Sequence, residues 1–417
     1  MTRLLIYSTL VTTAFLCLPA MSFAIDDGSS PTFSSSKLKK VVVVGGTHGN
    51  EYTGVWCIKA LDRAMDRIHC QYPSLRISTL LGNPRAHLEN KRFVDQDLNR
   101  QFTREILLEK EVEEEEQNWP HELVRAREID QILGPKFAAA NGANGKEETH
   151  VVVDLHSTTS NMGLTIIVAE GDPIMTRAAA YVRYKCQSLG HAVNCILHTH
   201  PDRSMQPNLP SAGRHGFTIE VGPVPQGVLR HDAVEKTETA IHALLEYLHL
   251  YNTEEESVHQ QLQEVYGAQQ QQVKDEGTSS SFSSPLLGCV PCFRSLSAQK
   301  KGQMSNKIPW PSDEDNPNFP ALMVHKELQD QDFTLIQTGD ALFVDLDGNV
   351  IPYDGSHGSP IYLMFVNEGG YYYQSSGTGI SVAVKAEYDL ESGMLIEEEE
   401  FIQVTTKDYA METDQEL

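Results

Sequence analysis

The fold class of this 417-residue chain follows from short apolar runs that alternate with helical patterns. The first run, Val41 to Val44, consists of consecutive β-branched residues, which suit a strand that is covered on both faces. Glycines end this run, and apolar residues then recur at near-helical spacing from Gly54 to Cys70. The buried-strand pattern returns at His150 to Asp154 and at Phe217 to Val221. This alternation predicts an α/β fold with a mainly parallel sheet flanked by helices.

The composition changes at about residue 253, and the predicted domain organisation changes with it. Residues 253–317 contain a Gln-rich stretch and a Ser-rich run, which bury little apolar surface and predict a flexible low-complexity linker. Short β-type runs follow, so we expect an α/β domain over residues 38–252 and a smaller β-rich domain over residues 318–417. We interpret the segment Cys289–Cys292, within the expected linker, as incidental cysteines or a local disulfide.

The N-terminal residues have the pattern of a cleavable signal peptide. A basic start is followed by an apolar run and by small residues that end at Ala24, so we expect a signal peptide over residues 1–24 and a Ser-rich leader over residues 25–37. We expect no membrane span in the mature chain. The protein is therefore expected in the secretory pathway or outside the cell. The chain has no Asn-x-Ser/Thr sequon for N-glycosylation. This absence favours a route without glycosylation, for example a plastid import pathway that begins with a signal sequence, as an alternative to secretion.

The charge of the chain limits its partners. The 57 Asp and Glu residues outnumber the 33 Lys and Arg residues, which gives a net charge of -24 at pH 7. A polyanion is repelled by such a surface, so we expect no nucleic-acid partner. A small anionic ligand would need a local group of arginines, which makes arginines near a candidate site informative.

Candidate metal ligands follow the first predicted strand. His48 and Glu51 lie three residues apart and could donate nitrogen and oxygen to one metal ion. Glycines on both sides of His48 favour a loop over a helical His-Glu-x-x-His site. Loops at the carboxyl ends of parallel strands are where α/β sheets place their sites. Taken alone, however, the His-x-x-Glu pattern is also common by chance.

A second histidine strengthens the metal hypothesis. His156 follows another apolar strand, and Asp154 precedes it by two residues. Two histidines and a glutamate leave a fourth zinc position for water, as in hydrolytic rather than structural zinc sites. Asp154 could orient a histidine ligand from outside the metal sphere. The alternative is a hydrogen-bonded histidine at a strand end.

Glu220 and a group of arginines complete the candidate chemistry. Glu220 interrupts an apolar strand, and a buried carboxylate without a partner is costly, so it should face a cavity, a cation or a metal-bound water. A general base would occupy such a position, and a salt bridge is the alternative. Arginines are concentrated between residues 85 and 100, where they could bind a carboxylate or polarise a carbonyl, or form a surface salt-bridge cluster.

Together these motifs resemble those of the aspartoacylase family, within the wider succinylglutamate desuccinylase/aspartoacylase group. The resemblance covers about residues 39–252 and 318–373. The segments that carry it are 45–51, 83–86, 91–100, 155–163, 220–229, 325–332 and 365–368.

The resemblance implies a zinc-carboxypeptidase-like α/β domain and a C-terminal β domain that caps its site. One zinc ion per chain would be bound by His48, Glu51 and His156. The implied reaction is hydrolysis of a small anionic N-acyl amino acid, most notably N-acyl-aspartate, to a carboxylate and a free amino acid.

The resemblance also implies roles for five other residues. Glu220 would be the general base, and Arg92 would polarise the amide carbonyl and stabilise the oxyanion. Asn99 and Arg100 would hold a carboxylate of the substrate, and Tyr371 would contact the substrate from the second domain.

Two positions depart from the family pattern. Mammalian aspartoacylases carry an arginine where this chain has Pro210 and a lysine where it has Ser375, and both cations would help to hold the substrate's carboxylates. A metallocarboxypeptidase with the same zinc ligands remains an alternative, as does a non-catalytic carboxylate- or metal-binding protein. A homodimer stays open.

Overall fold

The computed structural model contains the buried strands that the sequence predicts. It describes residues 37–108, 119–137, 148–199, 205–275, 288–296, 298–300, 303–316, 319–373 and 377–396. The predicted strands are β1 (Lys40–Gly45), β3 (Val151–Ser157) and β6 (His215–Val221). Parallel pairing joins β1 to β3 and β3 to β6.

The predicted signal peptide lies outside the described residues, as does the predicted leader except for Lys37. The described residues from Leu38 onward form one compact unit. Among the helices of this described part, none is both long enough and apolar enough to cross a membrane.

The described α-helices flank the sheet. They are α1 (Tyr52–Arg63), α2 (Met65–Gln71), α3 (Pro84–Leu88), α4 (Arg104–Leu108), α5 (His121–Leu133), α6 (Pro173–Ser188), α7 (His231–Thr253) and α8 (Glu255–Asp275). Short 3-10 helices cover Leu98–Arg100, Leu209–Ala212 and Gly369–Tyr372.

The remaining strands extend the sheet in both directions. They are β2 (Arg76–Leu81), β4 (Leu164–Ala169), β5 (Val193–His198), β7 (Cys289–Ser295), β8 (Ala298–Lys300), β9 (Gln303–Ser305), β10 (Lys307–Ile308), β11 (Met323–Val324), β12 (Leu335–Ile336), β13 (Ala341–Val344), β14 (Val350–Pro352), β15 (Ile361–Met364), β16 (Ile380–Asp389) and β17 (Leu395–Ile396).

One twelve-stranded sheet passes through both predicted domains. Its strand order is β12-β15-β16-β7-β5-β4-β6-β3-β1-β2, and β10 and β17 also pair with β16. Between β2 and β7 the pairing is parallel except for β4 with β6. From β7 to β12 it is antiparallel. The mainly parallel α/β sheet and the β-rich C-terminal region are both confirmed, and the sheet is continuous between them.

Alternation along β1 assigns its side chains to two cores. Val41 and Val43 pack into a large core that includes buried residues of α1, α6, α7 and α8. Val42 and Val44 face the other side and pack with residues of α5, among them Ile129. The strand is therefore covered on both faces, as its β-branched run predicts.

The prediction of a flexible linker over residues 253–317 is wrong for much of that segment. Helix α8 places Val258, Leu262 and Tyr266 in the core, and the Tyr266 hydroxyl donates to the Ala180 carbonyl at 2.8 Å. These apolar residues recur every four positions, so one buried stripe suffices although the other faces are rich in glutamine. Composition alone hides such a stripe.

The Cys289–Cys292 segment also lies in regular structure. It begins β7, which pairs with β5 on one side and β16 on the other, and both cysteines are buried with free thiols. No local disulfide joins them.

The C-terminal β-rich region begins before residue 318. Ile308 and Trp310 belong to its core together with Leu363 and Val382. The predicted boundary is therefore too late, because the Lys/Pro/Asp-rich sequence that precedes it contains these two buried side chains.

Candidate metal centre and active site

Three potential metal ligands meet at the carboxyl ends of β1 and β3. His48 lies in the loop after β1, Glu51 directly precedes α1, and His156 lies near the end of β3. One potential ligand atom from each residue lies within 4.8 Å of the others, and all three residues are buried. Parallel pairing of β1 with β3 explains this meeting, because it places their carboxyl ends at one edge of the sheet.

Glu51 lies between the two histidines. Its Oε1 is 2.6 Å from His48 Nδ1, and its Oε2 is 3.0 Å from His156 Nδ1. Burial would raise the pKa of Glu51, but the two histidines outweigh burial and hold it well below its usual range. Two imidazole nitrogens that face one ionised carboxylate form a donor set that fits a divalent zinc-like ion.

An aspartate lies behind each histidine. Asp154 Oδ2 is 2.7 Å from His156 Nε2, and Asp97 Oδ1 is 3.0 Å from His48 Nε2. An imidazole whose Nε2–H donates to a carboxylate directs its Nδ1 lone pair to the other side, where Glu51 lies. Asp154 therefore contacts the candidate histidine ligand, as the sequence predicts. The sequence does not indicate the contact between Asp97 and His48.

Glu220 faces the same side of the sheet as His156. The two residues are register partners on β6 and β3, so their side chains point the same way. Glu220 is buried and lines the cavity that contains the three potential ligands. Burial raises its pKa well above the usual value, and the charge of His156 offsets only part of that rise.

Arg92 reaches the centre from a loop. Its Nη1 lies 3.2 Å from Glu51 Oε1 and 3.8 Å from Glu368 Oε1, and its Nη2 lies 3.4 Å from Asp97 Oδ2. Burial would lower its pKa, but these carboxylates outweigh burial and raise it. The buried Arg92 Nε has no hydrogen-bond acceptor in the described part of the chain. The guanidinium is thus held in place and retains a donor for an oxygen atom.

Glu122 shapes the loop that carries Arg92 and Asp97. Its carboxylate accepts hydrogen bonds from the backbone amides of residues 94–96 at 2.7 to 3.0 Å. Glu122 lies in the first turn of α5 and is fully buried. The helix therefore fixes the segment between the arginine and the aspartate.

The predicted substrate contacts line the same cavity, whose volume is about 260 Å³. Asn99 accepts a hydrogen bond from the Leu209 amide at 2.8 Å, and Arg100 donates to the Asn99 carbonyl at 2.9 Å. Tyr371 reaches the cavity from the C-terminal region. All eight residues proposed from the sequence thus lie around one cavity.

Glu368 joins the C-terminal region to the candidate metal centre. Its Oε2 accepts from the Thr159 amide at 2.8 Å and from the Thr158 hydroxyl, both just beyond His156. Its Oε1 accepts from the Gly370 amide at 2.7 Å and faces Arg92. The segment 365–368 carries part of the family resemblance, but its sequence does not indicate this bridging contact.

Lys307 is a cavity residue that sequence reasoning missed. It lies in β10, within the segment predicted to be a linker. The cavity also has an apolar side, formed by Ile167, Ile196, Met364 and Phe365. A ligand in this cavity therefore meets both cationic and apolar walls.

The fold and the site define a class: α/β proteins that present a metal-capable His-Glu-His group at the strand ends of a mainly parallel sheet. The family model for the succinylglutamate desuccinylase/aspartoacylase catalytic domain matches residues 37–248. The model for the AstE/AspA barrel-sandwich hybrid domain matches residues 303–381. The chain belongs to the succinylglutamate desuccinylase/aspartoacylase family, which confirms the resemblance drawn from its motifs.

Individual relatives agree with this assignment. A probable aspartoacylase of Nostoc sp. is 33% identical over 81% of this chain and 94% of its own length. An N-acyl-aromatic-L-amino acid amidohydrolase (carboxylate-forming) of Xenopus laevis is also 33% identical, over 81% of this chain and 92% of its own length. The crystal structure of murine aminoacylase 3 matches with a TM-score of 0.65 and 25% identity, covering 88% of this chain and 100% of that protein.

Proposed function

We propose that this protein is a zinc-dependent amidohydrolase that cleaves an N-acyl amino acid, in particular N-acyl-aspartate, into a carboxylate and a free amino acid. The observation that carries the proposal is the convergence of His48, Glu51 and His156 with Glu220 and Arg92 at one cavity. A protein that only binds a carboxylate or a metal has no use for a buried glutamate beside the ligands. This argues against the non-catalytic alternative.

His48, Glu51 and His156 would hold the zinc ion. Two histidines and one carboxylate are the protein ligands of many catalytic zinc sites, and three ligands leave a position for water or substrate. When bound, zinc acts as a Lewis acid and favours ionisation of water near neutral pH. Asp97 and Asp154 would keep both histidines oriented towards the ion.

Glu220 would move the proton in the reaction. It would accept a proton from the attacking water and deliver it to the nitrogen of the leaving amine. Its placement supports this role, because it shares a sheet face with His156 and opens onto the cavity.

Arg92 would bind the oxygen of the scissile carbonyl and stabilise the negative charge that develops on it. Its Nε is a buried donor with no acceptor in the described residues. Arg100 and Asn99 would hold a carboxylate of the substrate, with Tyr371 closing the cavity from the C-terminal region. A cavity of about 260 Å³ suits a small ligand better than a peptide, which argues against the metallocarboxypeptidase alternative.

An N-acyl-aromatic amino acid is a second candidate substrate. The apolar side of the cavity, with Ile167, Ile196, Met364 and Phe365, favours it. The Xenopus relative carries that activity in its name. The cationic residues of the cavity, Arg92, Arg100 and Lys307, favour N-acyl-aspartate instead. The two candidate substrates therefore differ in whether the amino-acid side chain contacts the apolar or the cationic residues.

We also propose that the mature enzyme lies in the secretory pathway or outside the cell. The N-terminal 24 residues support this location. Import into a plastid after signal-peptide cleavage is the alternative. A homodimer is compatible with the proposal.

The test is amino-acid release from a panel of N-acyl amino acids by the chain that begins at Ile25. The panel includes N-acetyl-aspartate, N-acetyl-asparagine and N-acetyl-tyrosine, each assayed before chelation, after chelation and after zinc is restored. We expect release that is lost on chelation and recovered with zinc. Release by the chelated protein would contradict zinc dependence, and inactivity of the zinc-loaded protein towards every substrate would contradict the amidohydrolase.

A further inference from the structure

The position of Lys307 directs its side chain into the substrate cavity. Strand β10 pairs antiparallel with β16, so that Lys307 lies opposite Ser381 and Ile308 opposite Ile380. Ile308 is buried in the C-terminal core. Because successive side chains of a strand point to opposite faces, Lys307 faces away from that core and lines the cavity.

Contacts on two sides hold the ammonium group at the cavity wall. Lys307 Nζ donates to the Gly377 carbonyl at 2.7 Å and lies 3.1 Å from the centre of the Tyr371 ring. An ammonium over an aromatic face is attracted by the ring quadrupole. The amino group is therefore fixed beside the tyrosine that is proposed to contact the substrate.

The surroundings of Lys307 do not favour a cation by themselves. Only 7% of the residue is exposed. Burial, together with the neighbouring charges of Arg100 and Arg92, lowers the pKa of Lys307 to about 6, while Asp97 and Glu368 act in the opposite direction. An anion bound in the cavity would offset this cost, because buried charges are stable when they are paired.

The cations of the cavity differ in what they already bind. Arg92 faces three carboxylates of the protein and is proposed to bind the carbonyl oxygen. Arg100 is close enough to Lys307 to lower its pKa, and both residues line the cavity. A ligand with two carboxylates would neutralise both cations, whereas a monocarboxylate would neutralise one.

We propose that Lys307 binds the side-chain carboxylate of an N-acyl-aspartate while Arg100 binds its α-carboxylate, so that Lys307 selects an acidic over a neutral side chain. This assignment rests on the proposed function and adds a specificity-determining residue from the C-terminal region. It also names the wall that receives the amino-acid side chain.

The test compares N-acetyl-aspartate with N-acetyl-asparagine, which has nearly the same shape and lacks the side-chain charge. In the zinc-loaded enzyme, Lys307→Met should lower kcat/KM for N-acetyl-aspartate about 10- to 100-fold, mainly through KM, since it removes a charge-assisted hydrogen bond. Activity on N-acetyl-asparagine should change less than about threefold. Lys307→Arg should retain part of the preference because it keeps the charge.

Two controls separate specificity from folding. Lys59→Met removes a charge from an exposed position of α1 and should leave both substrates unaffected. If Lys307→Met lowers Tm or zinc content, Lys307→Gln and Lys307→Arg are compared instead. Binding of N-acetyl-aspartate to the Glu220→Gln protein, with and without Lys307→Met, gives a calorimetric readout that does not depend on turnover.

The outcomes distinguish this inference from the proposed function. Equal losses on both substrates, or an unchanged ratio, would overturn the role of Lys307 while leaving the amidohydrolase in place. A wild-type enzyme that prefers N-acetyl-asparagine would also overturn it. Zinc-loaded wild-type protein that cleaves no N-acyl amino acid would overturn the proposed function itself.

Discussion

The α/β region and the C-terminal region build the site in different ways. In the α/β region, a strand-end cluster occupies the carboxyl edge of the sheet. The register of β3 and β6 places two of its members, the other two follow β1, and close contacts link the histidines to carboxylates. The cluster consists of His48, Glu51, His156 and Glu220. In the C-terminal region, a recognition wall reaches the same cavity from a two-residue strand and a 3-10 helix with its preceding residue. The wall consists of Lys307, Glu368 and Tyr371.

This difference indicates a division of labour. A sheet register cannot change without moving every side chain of a strand, so it suits groups that must keep a fixed geometry. Loops and short strands can vary with less effect on the core. We therefore expect changes in the strand-end cluster to affect metal binding or turnover, and changes at Lys307 and Tyr371 in the recognition wall to affect substrate preference. Glu368, which faces Arg92, should instead affect turnover.

The largest effect should come from Glu220→Gln in the strand-end cluster. Glutamine keeps the shape of the side chain but cannot accept and return the proton, so kcat should fall about 10²- to 10⁴-fold. Bound zinc, measured by elemental analysis, should stay at the wild-type level because Glu220 is outside the ligand set. Near-normal turnover in this variant would break the division between the two regions.

The aspartates behind the histidines should tune metal affinity. Asp97→Asn and Asp154→Asn should each weaken zinc binding about 10- to 100-fold, because each removes the charged partner of a histidine Nε2. The measurement is competition with a chromophoric chelator at a fixed pH. Glu368→Gln serves as the matched control from the recognition wall, and an equal loss of zinc affinity there would contradict the comparison.

The residues of the strand-end cluster could be predicted from the sequence because a polar residue at the end of an apolar strand is costly to bury unless it has a functional or structural partner. His156 and Glu220 both interrupt or follow such strands, and parallel strands end at the same edge. Asp97 was less accessible, since its approach to His48 depends on a loop that Glu122 holds from α5.

The recognition wall was less accessible for a physical reason. Lys307 lies on a two-residue strand in a Lys/Pro/Asp-rich segment, and its direction depends on pairing with Ser381 far along the chain. The pattern of apolar and polar residues around Lys307 does not indicate that it pairs with such a distant strand. Helix α8 was missed for a related reason, because its Gln-rich composition conceals one apolar stripe.

A smaller effect is expected from Glu368→Gln on turnover. Glu368 lies 3.8 Å from Arg92 and binds the Thr159 amide, so losing its charge should leave Arg92 less well placed to stabilise the oxyanion. We expect a fall in kcat of about tenfold, which corresponds to one charged hydrogen bond. The control is Glu327→Gln at an exposed position, which should leave kcat unchanged. A change confined to KM would instead assign Glu368 to substrate binding.

The last effect concerns stability rather than activity, namely its pH dependence at Lys307. Its pKa is about 6 in the folded protein, because it is buried near Arg100 and Arg92, with Asp97 and Glu368 opposing the shift, and its ordinary value is 10.5. Between about pH 6 and pH 10 the unfolded chain therefore binds a proton at this residue that the folded chain does not, so stability rises with pH.

Relative to Lys307→Met, the free energy of unfolding of the wild type should rise from pH 6 to pH 8, with a slope below the limit of about 1.4 kcal/mol per pH unit. Urea unfolding of both proteins at pH 6, 7 and 8 measures the difference, and the groups they share largely cancel. A saturating dicarboxylate such as N-acetyl-aspartate, added to both proteins in the Glu220→Gln background, should reduce the slope because a bound anion favours the protonated lysine. A slope of the opposite sign would mean that the recognition wall already stabilises the charged ammonium without a ligand, and Lys307 would then belong with the internally paired charges of the strand-end cluster.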